Sequence, residues 1–106
     1  MKKQETVSGD DNGDTKEIFV LKLFVTGASP NSLRAIANIK HICDTHLAGS
    51  YNLEIIDVYQ QPMMAQAEQV IALPMLVKSK PLPFKKLIGD MSDTGRVLSG
   101  LGLTLI

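Results

Sequence analysis

From Glu17 to Val25 the chain reads EIFVLKLFV, a run of β-branched, aromatic and leucine residues interrupted by Lys22. Near-continuous apolar character over so short a span predicts a strand covered on both faces, and therefore a central one. Beyond the corner TGASPNS, residues 26–32, the period changes. Leu33, Ile36, Ala37, Ile39, Cys43 and Leu47 recur at helical spacing; Ser29 stands as N-cap before Pro30, and Gly49 can end the helix in a left-handed conformation. Asn52 to Tyr59, NLEIIDVY, predicts a second strand, and Pro62 opens a shorter helical stretch, MMAQAEQVIA. Strand, helix, strand implies a right-handed parallel crossover.

The second half is less uniform. LPMLV, residues 73–77, is strand-like, but Pro74 removes a ladder donor, so it belongs at a strand start or edge and its peptide bond is a candidate for cis. KSKPLPFKKLIGD predicts a turn and one more short strand ending at Gly89, followed by a last helix within SDTGRVLSGLGLTLI. Gly95, Gly100 and Gly102 each cost a helix about 1 kcal/mol relative to alanine, and LGLTLI reads equally as strand. Residues 1–16 hold no Phe, Leu or Ile and carry Asp10, Asp11 and Asp14 around Gly9 and Gly13, so a disordered polar tail is expected, with the folded domain spanning 17–106. The element order places the chain in the α/β class with a layout related to the thioredoxins.

Composition narrows the functions. Eleven basic and eleven acidic residues cancel, which removes the global field that a nucleic-acid or anionic-membrane binder would use. No apolar run approaches the roughly 18 residues needed to span a bilayer, and MKKQETVSGDDNGD has no apolar signal core; a cytoplasmic location is expected. In a thioredoxin-like layout a CxxC would occupy the TGASPNS corner, but Ala28, Ser29, Pro30 and Asn31 stand there, so no thiolate is available for dithiol exchange. The corner's single glycine makes neither a GxGxxG nor a GxxxxGK phosphate loop, and a capped turn is the expected reading. Cys43, mid-helix among apolar neighbours, reads as structural. His41, Asp44 and His46 do not align for a metal, and Glu54 and Asp57 fall on opposite strand faces. No catalytic residue, metal ligand or cofactor is assigned. The strongest local signal is KSKPLPFKK, where Lys78, Lys80, Lys85 and Lys86 occur without an acid. It reads either as an edge strand protected by lysine and proline or as a docking surface for an acidic partner; with Phe84 alone for stacking, nucleic acid is not expected.

FVLKLFVTGASPNSLRAI, YNLEIIDVYQQP, LPMLVK and PLPFKKLIGDMSDTGRVLSGL together resemble the circadian clock family KaiB, in order and spacing, from about Ile18 to Leu101. The resemblance implies a small non-enzymatic protein with two folds: a KaiB-type ground state that is oligomeric, a tetramer or dimer, and a thioredoxin-like monomer that binds the N-terminal ATPase ring of KaiC. It also implies KaiA or a SasA-like kinase as further partners where present. By position, Lys22, Arg34, Lys78, Lys85 and Lys86 are the implied partner-binding residues. Phe19, Pro74, Pro81, Pro83, Gly89, Asp90 and Gly100 form the implied fold-switch and oligomer set, the prolines through slow X–Pro isomerisation. Phe19 and Phe24 stand where the family commonly has tyrosine; Glu54 and Gln69 replace residues often lysine, Gly102 a usual Asp and Leu105 a usual Tyr. A chain with two packings separated by a few kcal/mol would account for the helix and strand conflict near the C-terminus. Two alternatives remain open: an interaction protein of this type with another target, in kinase signalling or stress response, and a degenerate thioredoxin-like oxidoreductase.

Overall fold

A computed structural model describes residues 17–103. The segment expected to be a polar tail and the last residues of LGLTLI, including Leu105, lie outside the described residues. The elements run β1 (Phe19–Val25), α1 (Pro30–His46), β2 (Tyr51–Asp57), α2 (Pro62–Ala67), β3 (Met75–Lys80), β4 (Lys85–Ile88) and α3 (Thr94–Leu101). They form a four-stranded sheet in the order β2, β1, β3, β4, with β1 parallel to β2 and antiparallel to β3, and β4 antiparallel to β3.

The central position of β1 follows from its apolar run. Alternation sends Leu21, Leu23 and Val25 toward Ala35, Ile39, Ile42 and Cys43 of α1 and Val97, Leu98 and Leu101 of α3. Phe24 takes the other face, where it packs with Ile56, Met75 and Val77 under Met64 and Ala65 of α2. The strand therefore serves two cores, and polar substitution on either face would disrupt one of them.

Helix α1 begins as the sequence predicts: Ser29 is the N-cap, its Oγ accepts from the Ser32 N–H at 3.2 Å, and Pro30 opens the first turn. Its buried stripe differs from the predicted one. Ser32, Ala35, Ile39, Ile42 and Cys43 face the sheet, whereas Leu33 is 54% exposed and Ala37 is also exposed. The Ser32 hydroxyl bonds back to the end of β1, and that contact sets the rotation of the first turn. Leu47 N–H closes on the Cys43 carbonyl at 2.7 Å, and Gly49, at φ +74°, turns the chain toward β2.

Helix α2 is shorter than the predicted MMAQAEQVIA, ending at Ala67. Gln69 adopts φ +56° and Val70 and Leu73 fold back against the Phe24 cluster, a burial that a straight helix over the same residues would not give. Pro74 stands immediately before the first residue of β3, where its missing N–H costs no ladder bond, and the Leu73–Pro74 bond is cis, as are Lys80–Pro81 and Leu82–Pro83. Strand β4 forms one edge of the sheet and presents Lys85 and Lys86.

The last helix forms over 94–101 and takes in Leu101 of LGLTLI, whose last three residues lie outside the described ones. Asp93 caps α3 by accepting from the Arg96 N–H at 3.1 Å. At the other end Gly102 N–H donates to the Ser99 carbonyl at 3.0 Å and Leu103 N–H to the Leu98 carbonyl at 2.8 Å, the paired bonds of a Schellman motif, with Gly102 at φ +83°. Gly100 allows the helix to lie close on β4: a Cβ there would stand 2.6 Å from Leu87 Cδ1.

Candidate partner-binding site

The TGASPNS corner is a closed hydroxyl network. Thr26 N–H donates to Ser32 Oγ at 3.0 Å, the Ser29 hydroxyl donates to Ser32 Oγ at 2.8 Å, and Thr26 Oγ1 lies 3.2 Å from Ser29 Oγ. Ser32 is buried, so these bonds meet the requirement that a buried hydroxyl be paired. Nearby, Asp57 accepts from the Tyr59 N–H at 2.9 Å. The groups of the corner are engaged in turning the chain and capping α1.

Cys43 is fully buried, and burial, with a smaller contribution from the charge of Asp44, pushes its thiol up to about 11. Tyr51 OH donates to Asp44 Oδ1 at 2.6 Å, and this hydrogen bond is the main cause of a raised tyrosine pKa. His41 and His46 are exposed, and among the described residues no cluster of His, Cys, Asp or Glu could hold a metal.

Several of the singled-out residues meet where the β4–α3 connection crosses α1. Arg34 Nε donates to Asp90 Oδ2 at 3.3 Å and its guanidinium also bonds Asn31. Asn38 Nδ2 donates to the Asp90 carbonyl at 2.9 Å, and Ser92 N–H to Asp90 Oδ1 at 3.1 Å. Hydrogen bonds from Ser92, and then Arg34, hold the Asp90 carboxyl below its ordinary range. Gly89, at φ +127°, donates its N–H to the Pro74 carbonyl at 3.0 Å, and Arg96 Nη1 donates to the Ile88 carbonyl at 3.1 Å. Arg34 of the partner-binding set thus joins Pro74, Gly89 and Asp90 of the fold-switch set. One clamp ties residues 89–92 to α1 and to the start of β3. Sequence reasoning did not single out Asn31 or Asn38; their i−3 and i+4 positions relative to Arg34 on one helix face are the signal that could have found them.

The remaining cations do not form a single patch. The sheet register aligns Glu54, Lys22, Val77 and Lys86 in one row on the α2 side. Lys86 Nζ donates to the Glu68 carbonyl at 2.7 Å and lies 5.8 Å from the Phe84 ring centroid, a cation–π distance. Lys85 and Lys78 pair across β4 and β3 on the opposite side. Lys85 is exposed; Lys78 is not. At 3% exposure, with Nζ donating to the Leu101 carbonyl at 3.4 Å, Lys78 is a buried cation at the C-terminal end of α3. The expectation that it docks a partner directly is corrected for this fold: register turns its side chain inward, and α3 closes over it. Phe19, Pro81 and Pro83 line an open cleft of about 640 Å³ beside Lys78, while Gly100 packs on Leu87.

Comparison with known proteins gives consistent relationships. The KaiB domain family model matches residues 22–103. The chain is 46% identical over 88 residues to the circadian clock oscillator protein KaiB of Acaryochloris marina, covering 83% of this chain and 85% of that one. It is 47% identical over 88 residues to the corresponding Picosynechococcus protein, with the same coverage, 83% and 85%. Among solved structures, the N-terminal domain of Synechococcus elongatus SasA superposes with TM-score 0.66 at 24% identity, covering 82% of this chain and 85% of that domain. Mitochondrial thioredoxin 3 of Saccharomyces cerevisiae gives TM-score 0.66 at 16% identity, covering 81% and 78%. These two likenesses establish a thioredoxin-like fold.

Proposed function

Because the chain belongs to the KaiB family, we propose that it is a non-catalytic clock-type regulator that binds the N-terminal ATPase ring of a KaiC homologue and modulates its phosphorylation and ATPase cycle. The observation that carries this reading is the architecture itself. A KaiB-family chain is here in the thioredoxin-like arrangement, the form that the sequence resemblance assigns to KaiC binding. The free protein exchanges between this monomer and an oligomeric ground state, tetramer or dimer, and KaiA or a SasA-like kinase shares or competes for the bound form.

Arg34 and the 89–92 segment form one contact region in this reading, exposed Lys85 adds positive charge on the α3 side of the sheet for an acidic face of the ring, and Lys22 and Lys86, on the α2 side, steer association at longer range. Lys78 acts from beneath the surface by holding the end of α3. The protein works in the cytoplasm; no helix among the described residues is long and apolar enough to cross a membrane.

Sedimentation velocity of the protein alone and mixed with its cognate KaiC and ATP, followed for hours, tests the proposal. Slow growth of a ring-bound species at the expense of a larger free oligomer is expected, because the competent form is a minor population. A well-folded chain that gives no complex after a day refutes the KaiC assignment and favours a KaiB-type interaction protein with a different target.

A further inference from the structure

We propose that the cleft between the end of β3 and the end of α3 binds a small organic anion, a carboxylate or sulfonate with an apolar body, using Lys78 as its counter-ion. The cleft encloses about 640 Å³, within the range of small-molecule sites. Phe19, Leu47, Leu101 and Leu103 provide apolar wall, Lys78 and Ser50 are the buried polar residues on its lining, and exposed Glu17 and His46 also line it.

The charge is the reason to expect an anion. Lys78 is 3% exposed, and among the described residues its ammonium makes one long hydrogen bond, 3.4 Å to the Leu101 carbonyl. That carbonyl belongs to the C-terminal turn of α3, whose partial negative charge offsets only part of a full positive charge. Among the described residues no carboxylate lies within ion-pair distance of it. A buried ammonium held by one neutral acceptor is costly unless an anion completes its shell. Gly102 stands against Nζ without a side chain of its own: a Cβ there would lie 3.8 Å from it. The leucine and phenylalanine walls favour an amphipathic anion over inorganic phosphate, which would lose hydration there without new partners.

Isothermal titration of the full chain with sodium octanoate, with octanol as the uncharged control, tests the inference. Saturable octanoate binding much tighter than octanol is expected, falling about thirtyfold or more in Lys78→Met, which keeps the buried stem and removes the charge. Equal affinity for the two compounds, octanoate binding unchanged in Lys78→Met, or no saturable binding to the wild type would overturn it. Should Lys78→Met not fold, reductive methylation of the wild type with labelled formaldehyde replaces it. Octanoate is then expected to slow modification of Lys78 and leave exposed Lys85 unaffected, and a Lys78 rate that octanoate does not change, or slows only as much as that of Lys85, would overturn the proposal.

Discussion

Replacing Gly102 with alanine changes one backbone conformation and little else. Among the described residues a Cβ at this position meets only Lys78 Nζ, at an ordinary 3.8 Å, so no packing among them is lost to a clash. The cost is conformational: Gly102 sits at φ +83° to complete the Schellman end of α3, and an L side chain in that region costs about 1–2 kcal/mol. If the thioredoxin-like form is one of two exchanging folds and the other does not need a left-handed residue 102, its population falls by about tenfold for each 1.4 kcal/mol. The apparent dissociation constant for KaiC rises by the same factor, since affinity is reduced by the fraction competent to bind. Competition binding to the cognate N-terminal ring, with urea unfolding of each variant, measures both quantities. Gly102→Asn should fall between glycine and alanine because asparagine tolerates the left-handed region better. Unchanged stability and affinity in Gly102→Ala, or tighter binding, would refute the reasoning by showing that the helix end contributes nothing to the bound fold.

Other outcomes follow from the same geometry. At pH 8 a thiol with a pKa of about 11 is roughly 0.1% thiolate, against about a quarter for a free cysteine, so Cys43 should react with a thiol reagent only through opening of α1; rapid labelling of the native protein would contradict its burial. Arg34→Ala should weaken ring binding more than Asp90→Asn, because both variants lose the ion pair while Asn38 and Ser92 still hold the 89–92 segment, and only the first also removes a cation offered to the ring; equal losses measured by titration would reduce Arg34 to a clamp residue alone. Charge reversal at Lys22 or Lys86 should slow association and flatten its salt dependence, and salt-independent kinetics in the wild type would remove the electrostatic role assigned to that row. The lowered Asp90 pKa means that its contribution is present above the unfolded value near 3.8 and is lost as pH falls through the still lower folded value; the Ser92 amide resonance should report that titration, and a midpoint above 3.8 would be inconsistent with the clamp.

Much of the fold was legible because its determinants are local. The apolar run of β1, the Ser29–Pro30 start of α1, the proline at the start of β3 and the edge lysines of β4 each depend on a few neighbouring residues, and the structure places them as read. The length of α2 was not legible: its residues favour helix, but burial of Val70 and Leu73 against a remote phenylalanine outweighs that propensity. The close fit of Gly100 against Leu87 of β4 was not legible either, because it depends on a packing between elements that no local pattern encodes.

The candidate site divides along the same line. Residue types, spacing and resemblance determined the KaiB family, a corner without thiols, a buried cysteine and the identity of the basic residues. Tertiary structure alone decided which of those cations work together. Arg34 meets Asp90 across 56 positions of chain, the register of three strands sets Lys22 and Lys86 in one row with Val77 between them, and Lys78, which in a lysine-rich segment reads as surface, is buried because its strand position points at the end of α3. A side chain's periodicity is a local property, but the face it occupies and the partner it finds are fixed by long-range pairing, which sequence order does not specify.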